Sequence, residues 1–270
     1  AGKCQAGKPK LYNTSYTGTI FYSAAPLPDG GLVDSGSAGN SDWIVKRLDA
    51  SGTVIWEKSG SAVGSDPGRR AAVMSDGTIW QAGRVTGGGR LRTLDLATGT
   101  IGPEVTLGAA AMVDVAALPS GGGVVVGSNG QGPWAVRLVG KLATVWENLI
   151  PTTDKTGDAL RNVAALPDGS MVVAGKLGKP LLAKLDAAGK TLWLVTYDGT
   201  GATEFYDVAV LPDGGFVAVG QTLVRLDAAG KLLWQKTVAA TFLYGVAARS
   251  DGSFAVVGTD NDTKSVLAMF

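Results

Sequence analysis

Short apolar runs broken by glycine- and aspartate-rich turns fill this chain from end to end. Some runs are continuous, as at Val124-Val-Val126 and Phe254-Ala-Val-Val257. Strands covered on both faces lose the polar alternation of a half-exposed strand, so these runs predict buried inner strands. The turns between them recur. One is Asp-Gly or Ser-Gly, at Asp29, Asp76, Ser120, Asp168, Asp213 and Asp251, spaced 47, 44, 48, 45 and 38 residues apart. Asp-Gly between apolar runs signals a hairpin, with positive φ expected at both central residues. The other turn is Leu-Asp followed by glycine, as in Leu226-Asp227 with Gly230. Around it a basic residue and a tryptophan stand nine apart, as Arg47 and Trp56, Arg137 and Trp146, Lys184 and Trp193, Arg225 and Trp234. Such regularity marks these residues as structural, the basic side chain beside the turn and the indole as packing between units.

Each unit therefore predicts four short strands. In the fifth they span roughly 206–211, 216–220, 223–227 and 232–236. Four strands in a period of about 40–45 residues is the β-propeller signature. The expected fold is all-β: a single six-bladed propeller of four antiparallel strands per blade, one domain over residues 1–270. The sixth unit, about 243–270, stops in its third strand. Gly7-Lys8-Pro9-Lys10-Leu11-Tyr12 resembles Gly189-Lys190-Thr191-Leu192-Trp193. A strand at about 7–14 is thus expected to complete the last blade and close the ring, leaving no open sheet edge.

The units resemble the β-propeller repeats of bacterial secreted and cell-envelope proteins, whose pattern runs Tyr-x-Gly-x-Gly, then Ala-x-x-Asp-Gly-Gly-x-x-Val-x-Gly. Tyr197-Asp-Gly-Thr-Gly201, Asp207-Val-Ala-Val-Leu-Pro-Asp-Gly-Gly215 and Val219-Gly220 carry the likeness. Gly-Lys-x-x-Trp is similar, more distantly, to quinoprotein-type propellers. The resemblance implies an exported protein, periplasmic or extracellular, serving in adhesion, envelope assembly or binding. The Ala1-Gly2 start fits a chain whose signal peptide has been removed.

Composition narrows the chemistry. The chain has 270 residues, a formal net charge of +1, no histidine and one cysteine. Acidic and basic residues are mixed, without the basic stripe that nucleic acid requires. No apolar stretch is long enough to span a membrane. The lack of histidine removes Ser-His-Asp and Cys-His catalysis and histidine-held zinc or haem. Cys4 has no partner for an internal disulfide and reads as an unpaired thiol, with an intermolecular disulfide as the alternative. The acidic loop pairs Asp154 with Asp158, Asp198 with Glu204, and Asp260 with Asp262 lack the ordered spacing of a calcium loop. No cofactor and no metal site is expected.

Residues that repeat build the blade, so function is sought where the repeat breaks. At the start of each inner strand the aligned pairs are Tyr22-Ser23, Arg69-Arg70, Val113-Asp114, Arg161-Asn162, Tyr206-Asp207 and Tyr244-Gly245. Small apolar residues follow. The candidate binding residues are thus Tyr22, Arg69, Arg70, Asp114, Arg161, Asn162, Tyr206, Asp207 and Tyr244, at the mouth of the central channel. Solvated or mutually paired mouth residues are the alternative. The expectation is a non-catalytic scaffold taking a protein partner, or secondarily a glycan, on the loop face. The rival is a histidine-independent hydrolase or lyase, sialidase-like or lactonase-like, at the same mouth.

Overall fold

A computed structural model describes residues 18–39, 42–60, 68–85, 88–107, 111–152, 157–197, 203–236, 242–260 and 264–270. They form six antiparallel sheets, each from consecutive strands in simple up-and-down order. The fold is a six-bladed β-propeller. Five sheets have four strands; the sixth has three, Phe242–Ala248, Phe254–Asp260 and Lys264–Met269. The segment 7–14 expected to complete it lies outside the described residues, as do Cys4, Asp154, Asp198 and Asp262. The strands of the fifth blade, Phe205–Val210, Phe216–Gly220, Leu223–Leu226 and Leu232–Lys236, lie within a residue of those expected.

The two middle strands of a blade are its most buried, as in blade 1 and blade 5. The second strand of blade 5 is buried at every position, while the outermost, Leu232–Lys236, is largely exposed. Five apolar cores hold neighbouring blades together, one at each junction from blade 1 to blade 6. Among the described residues no such core joins blade 6 to blade 1. There Val257 is 48% exposed, whereas its counterpart Val219 in blade 5 is fully buried.

The Asp-Gly turns differ from expectation in one respect. Only the glycine has positive φ: Gly30 is at 83°, and no aspartate of the chain's described residues does so. The turn begins earlier. Gly30 N–H donates to the Leu27 carbonyl at 3.0 Å, making Pro28 and Asp29 the central residues. Proline presets the first central position of such a turn, and glycine supplies the left-handed residue after it. The aspartate instead accepts from the chain ahead, Asp29 Oδ1 from Gly31 N–H at 2.9 Å.

The repeated basic residue and tryptophan act as read. Arg47 spans the two turns, bonding Asp29 at 3.0 Å and the Leu96 carbonyl of the next blade at 3.2 Å. Trp56 donates to the same carbonyl at 3.1 Å, and Trp146 to that of Ala187 at 3.1 Å. Each ring lies on the glycine of the next blade's second turn. A Cβ added at Gly189 would come within 2.6 Å of the Trp146 ring.

Candidate functional site

A bulge near the start of every inner strand builds the channel mouth. Pairing with the second strand skips one residue in each blade: Tyr22, Val113, Arg161, Tyr206 and Tyr244. In blade 2 the skip covers Arg69 and Arg70. A bulge bends the strand and re-aims the extra side chain. Opposite it stands a glycine of the second strand, in blades 3, 4 and 6 the last residue of Val-x-Gly. A Cβ at Gly36, Gly127, Gly175, Gly220 or Gly258 would lie 1.8–2.1 Å from an inner-strand carbonyl oxygen. This glycine is thus required by close approach of the bulged backbone rather than by a turn.

The residue after the bulge does a different job. Ser23 Oγ accepts Ala71 N–H of the next blade at 3.0 Å. In the same register Asp114 accepts Val163 N–H at 3.0 Å, Asn162 accepts Val208 N–H at 3.2 Å, and Asp207 accepts Val246 N–H at 2.9 Å. Asn162 also donates to Asp114 at 2.9 Å. Each acceptor clasps its blade to the one that follows. Asp114 and Asn162 are buried in this role and do not line the cavity, unlike the other seven expected residues.

Two positions in the register cannot clasp. Gly245 has no side chain. Arg70 is a donor only, and it reaches across the ring to Asp207 of blade 5 at 3.3 Å. Burial raises the Asp114 carboxyl to about 6, partly offset by the charge of Arg70. Burial likewise raises Asp207. Asp114, Arg70 and Asp207 thus form a buried charge cluster one residue deeper than the mouth.

Above it opens a cavity of about 1120 Å³, to which all six blades contribute. It reaches toward the junction of blades 6 and 1, where Ala255 and Val257 face it. On the side of blades 4 to 6, Arg161 pairs with Glu204 at 2.6 Å. Burial and the neighbouring Glu204 push the Tyr206 phenol up to about 12. Tyr206 packs against Tyr244 with ring centroids 5.2 Å apart, and Phe242 lies 6.0 Å from Tyr244. On the opposite side the Arg69 guanidinium lies over the Tyr22 ring at 5.0 Å, and Arg84 projects from the second strand of blade 2.

A buried polar chain shared by blades 1 and 2 lies behind that wall. Ser35 Oγ donates to the carbonyl of Arg69 at 2.9 Å, and Gln81 donates to Ser35 at 2.8 Å. Arg92 donates to Gln81 at 2.8 Å and lies over the Trp43 ring at 4.2 Å. Buried polar groups satisfied in a continuous chain fix local geometry. The bulge at Arg69 is therefore held from behind.

Sequence reasoning missed Glu204, Arg84 and Phe242. Arg84 follows Gly83, at the same place in the second strand, so the residue after that glycine was the available signal. Glu204 reads in sequence as a loop acid beside Asp198. Among the described residues, no group of three or more carboxylate, thiol or imidazole side chains is placed to hold a metal. Asp158 is engaged by Thr152 and by Gly178 N–H.

Known structures share this shape. The chain is similar to the WD40 β-propeller domain of Doa1, with TM-score 0.71 and 14% identity over 93% of this chain and 79% of that one. It is similar also to Sqt1 from Chaetomium thermophilum, with TM-score 0.66 and 17% identity over 94% of this chain and 69% of that one. A protein of unknown function from Bacteroides caccae aligns with TM-score 0.59 and 14% identity over 84% and 86%. No family model matches the chain, and no curated protein does. At these identities the likeness speaks to the fold.

Proposed function

We propose that this chain is an exported, non-catalytic propeller scaffold that captures a protein partner at the loop-face mouth of its channel. A glycan is the second ligand class, and no cofactor is involved. The observation that carries the reading is the concentration of Tyr22, Arg69, Tyr206 and Tyr244 around one open cavity, while the opposite face repeats the same turn. Tyrosine and arginine are enriched among residues that dominate binding energy. Export, to the periplasm or beyond, follows from the resemblance of the units to envelope-protein repeats.

The hydrolase reading draws on the Glu204–Tyr206 pair. It is disfavoured because Arg161 already neutralises Glu204 and the phenol titrates far above neutrality. A nucleophile or base works best with a pKa near the working pH.

Replacing Tyr206 and Tyr244 together by alanine tests the site. The wild type should retain a specific partner from extract of the source organism, identified by mass spectrometry and reconstituted from pure components. The double variant should lose it while melting shifts by no more than a few degrees, since both rings are partly exposed. Undiminished capture would place the interface elsewhere. Turnover of a glycoside or lactone that disappears in Glu204→Gln would establish the enzyme instead.

A further inference from the structure

The charges around the mouth do not balance. Of the four arginines facing the cavity, Arg161 is paired with Glu204 and Arg70 with Asp207. Arg69 and Arg84 have no carboxylate partner among the described residues, and both come from blade 2. Arg69 is the better defined, its guanidinium set on Tyr22 and its carbonyl held by Ser35. Guanidinium groups offer planar forks suited to carboxylates. The acceptors a neutral sugar would need for its hydroxyls, Glu204 and Asp207, are already engaged. Apolar wall remains around the mouth, from Val113, Val246 and Ala247.

We infer that the mouth takes an acidic peptide segment, with carboxylates on Arg69 and Arg84 and the intervening apolar side chains against Val113, Val246 and Ala247. This rests on the protein-partner reading and specifies its chemistry. An extended peptide alternates its side chains, so acidic and aliphatic residues in turn would meet the cationic and apolar walls.

The probe is a fluorescein-labelled, C-terminally amidated peptide of alternating glutamate and leucine, followed by fluorescence anisotropy on the full chain. Binding is expected with Kd below about 100 μM and should weaken steeply from about 50 to about 500 mM salt. Arg69→Ala with Arg84→Ala should weaken it at least about tenfold. Glutamine in place of glutamate in the peptide should do the same. Thermal melts of the variant verify folding, and the Arg69→Lys, Arg84→Lys pair, which keeps the charge, should retain part of the affinity. No binding, equal binding of the glutamine peptide, or indifference to the alanine pair overturns the inference. Binding of trigalacturonate about tenfold tighter than the peptide overturns it in favour of an acidic glycan. If the alanine pair still captures the partner protein, the acidic-peptide reading falls while the scaffold reading stands.

Discussion

Asp114 shows how one side chain can look like a site and serve as a joint. It sits beside Val113 at the mouth in sequence, yet it faces the next blade and accepts two hydrogen bonds there on one oxygen. The repeat marks this pair of positions along the sequence but does not separate the bulged residue from its neighbour, because one extra residue in a strand leaves no mark on composition. The consequence for stability has a sign. With a folded pKa of about 6 against an ordinary 3.8, the folded chain holds a proton that the unfolded chain has released. Stability from this group is complete below the lower value and is lost as pH rises through the window. Asp114→Asn has no such proton. Urea unfolding at intervals from about pH 4 to about pH 7 should show the variant gaining on the wild type by roughly 2–3 kcal/mol across that range. The turn aspartates such as Asp49 and Asp76 are held below 3.8 by their hydrogen bonds and titrate outside the window. Parallel curves for the two proteins would show that Asp114 is ionised throughout.

The strands were the most legible element, since period, turn chemistry and apolar runs all indicated the same four-strand unit. The turn type was less so: Asp-Gly suggested a two-residue hairpin, but the turn starts one residue earlier, with or without a proline before the aspartate, as at Gly30 and Gly77. Least legible was the bulge, although the sequence carried its counterpart in the repeated glycine of the second strand. Gly175 lies where the Ala159 carbonyl crosses, 2.1 Å from where a Cβ would stand. Backbone on both sides cannot give way as a flexible side chain could. Gly175→Ala is therefore expected to cost more than about 3 kcal/mol in chemical denaturation, or to prevent folding, despite being the smallest possible substitution. A loss below about 1 kcal/mol would mean the inner strand can flatten its bulge.

At the scale of the whole molecule, the six-bladed ring was readable from the repeat, while the strut from Arg70 to Asp207 was not. That contact joins residues 137 apart in sequence and exists only because blades 2 and 5 oppose each other. Among the described residues the junction of blades 6 and 1 has no shared apolar core: Gly245 offers no clasp, and Leu267 and Met269 on the last strand are 70% and 53% exposed. We expect that deleting residues 1–13 removes the strand that covers this edge. The truncated chain should unfold at lower urea with reduced cooperativity, or aggregate through the bare edge, as followed by circular dichroism and light scattering. An unchanged midpoint would refute closure by that segment.

The clasps also have a direction. Ser23, Asp114, Asn162 and Asp207 each accept an amide from the blade that follows, never from the one before. A chain emerging from its N-terminus meets these acceptors before their donors. Blades 2, 4, 5 and 6 therefore meet an acceptor on a neighbour already made, by contacts one repeat away, which keeps loop-closure costs small at those steps. Only the strut and the final junction demand a long closure. Assembly of the ring would then proceed as a vectorial sequence of short additions, with its slow step reserved for the last blade.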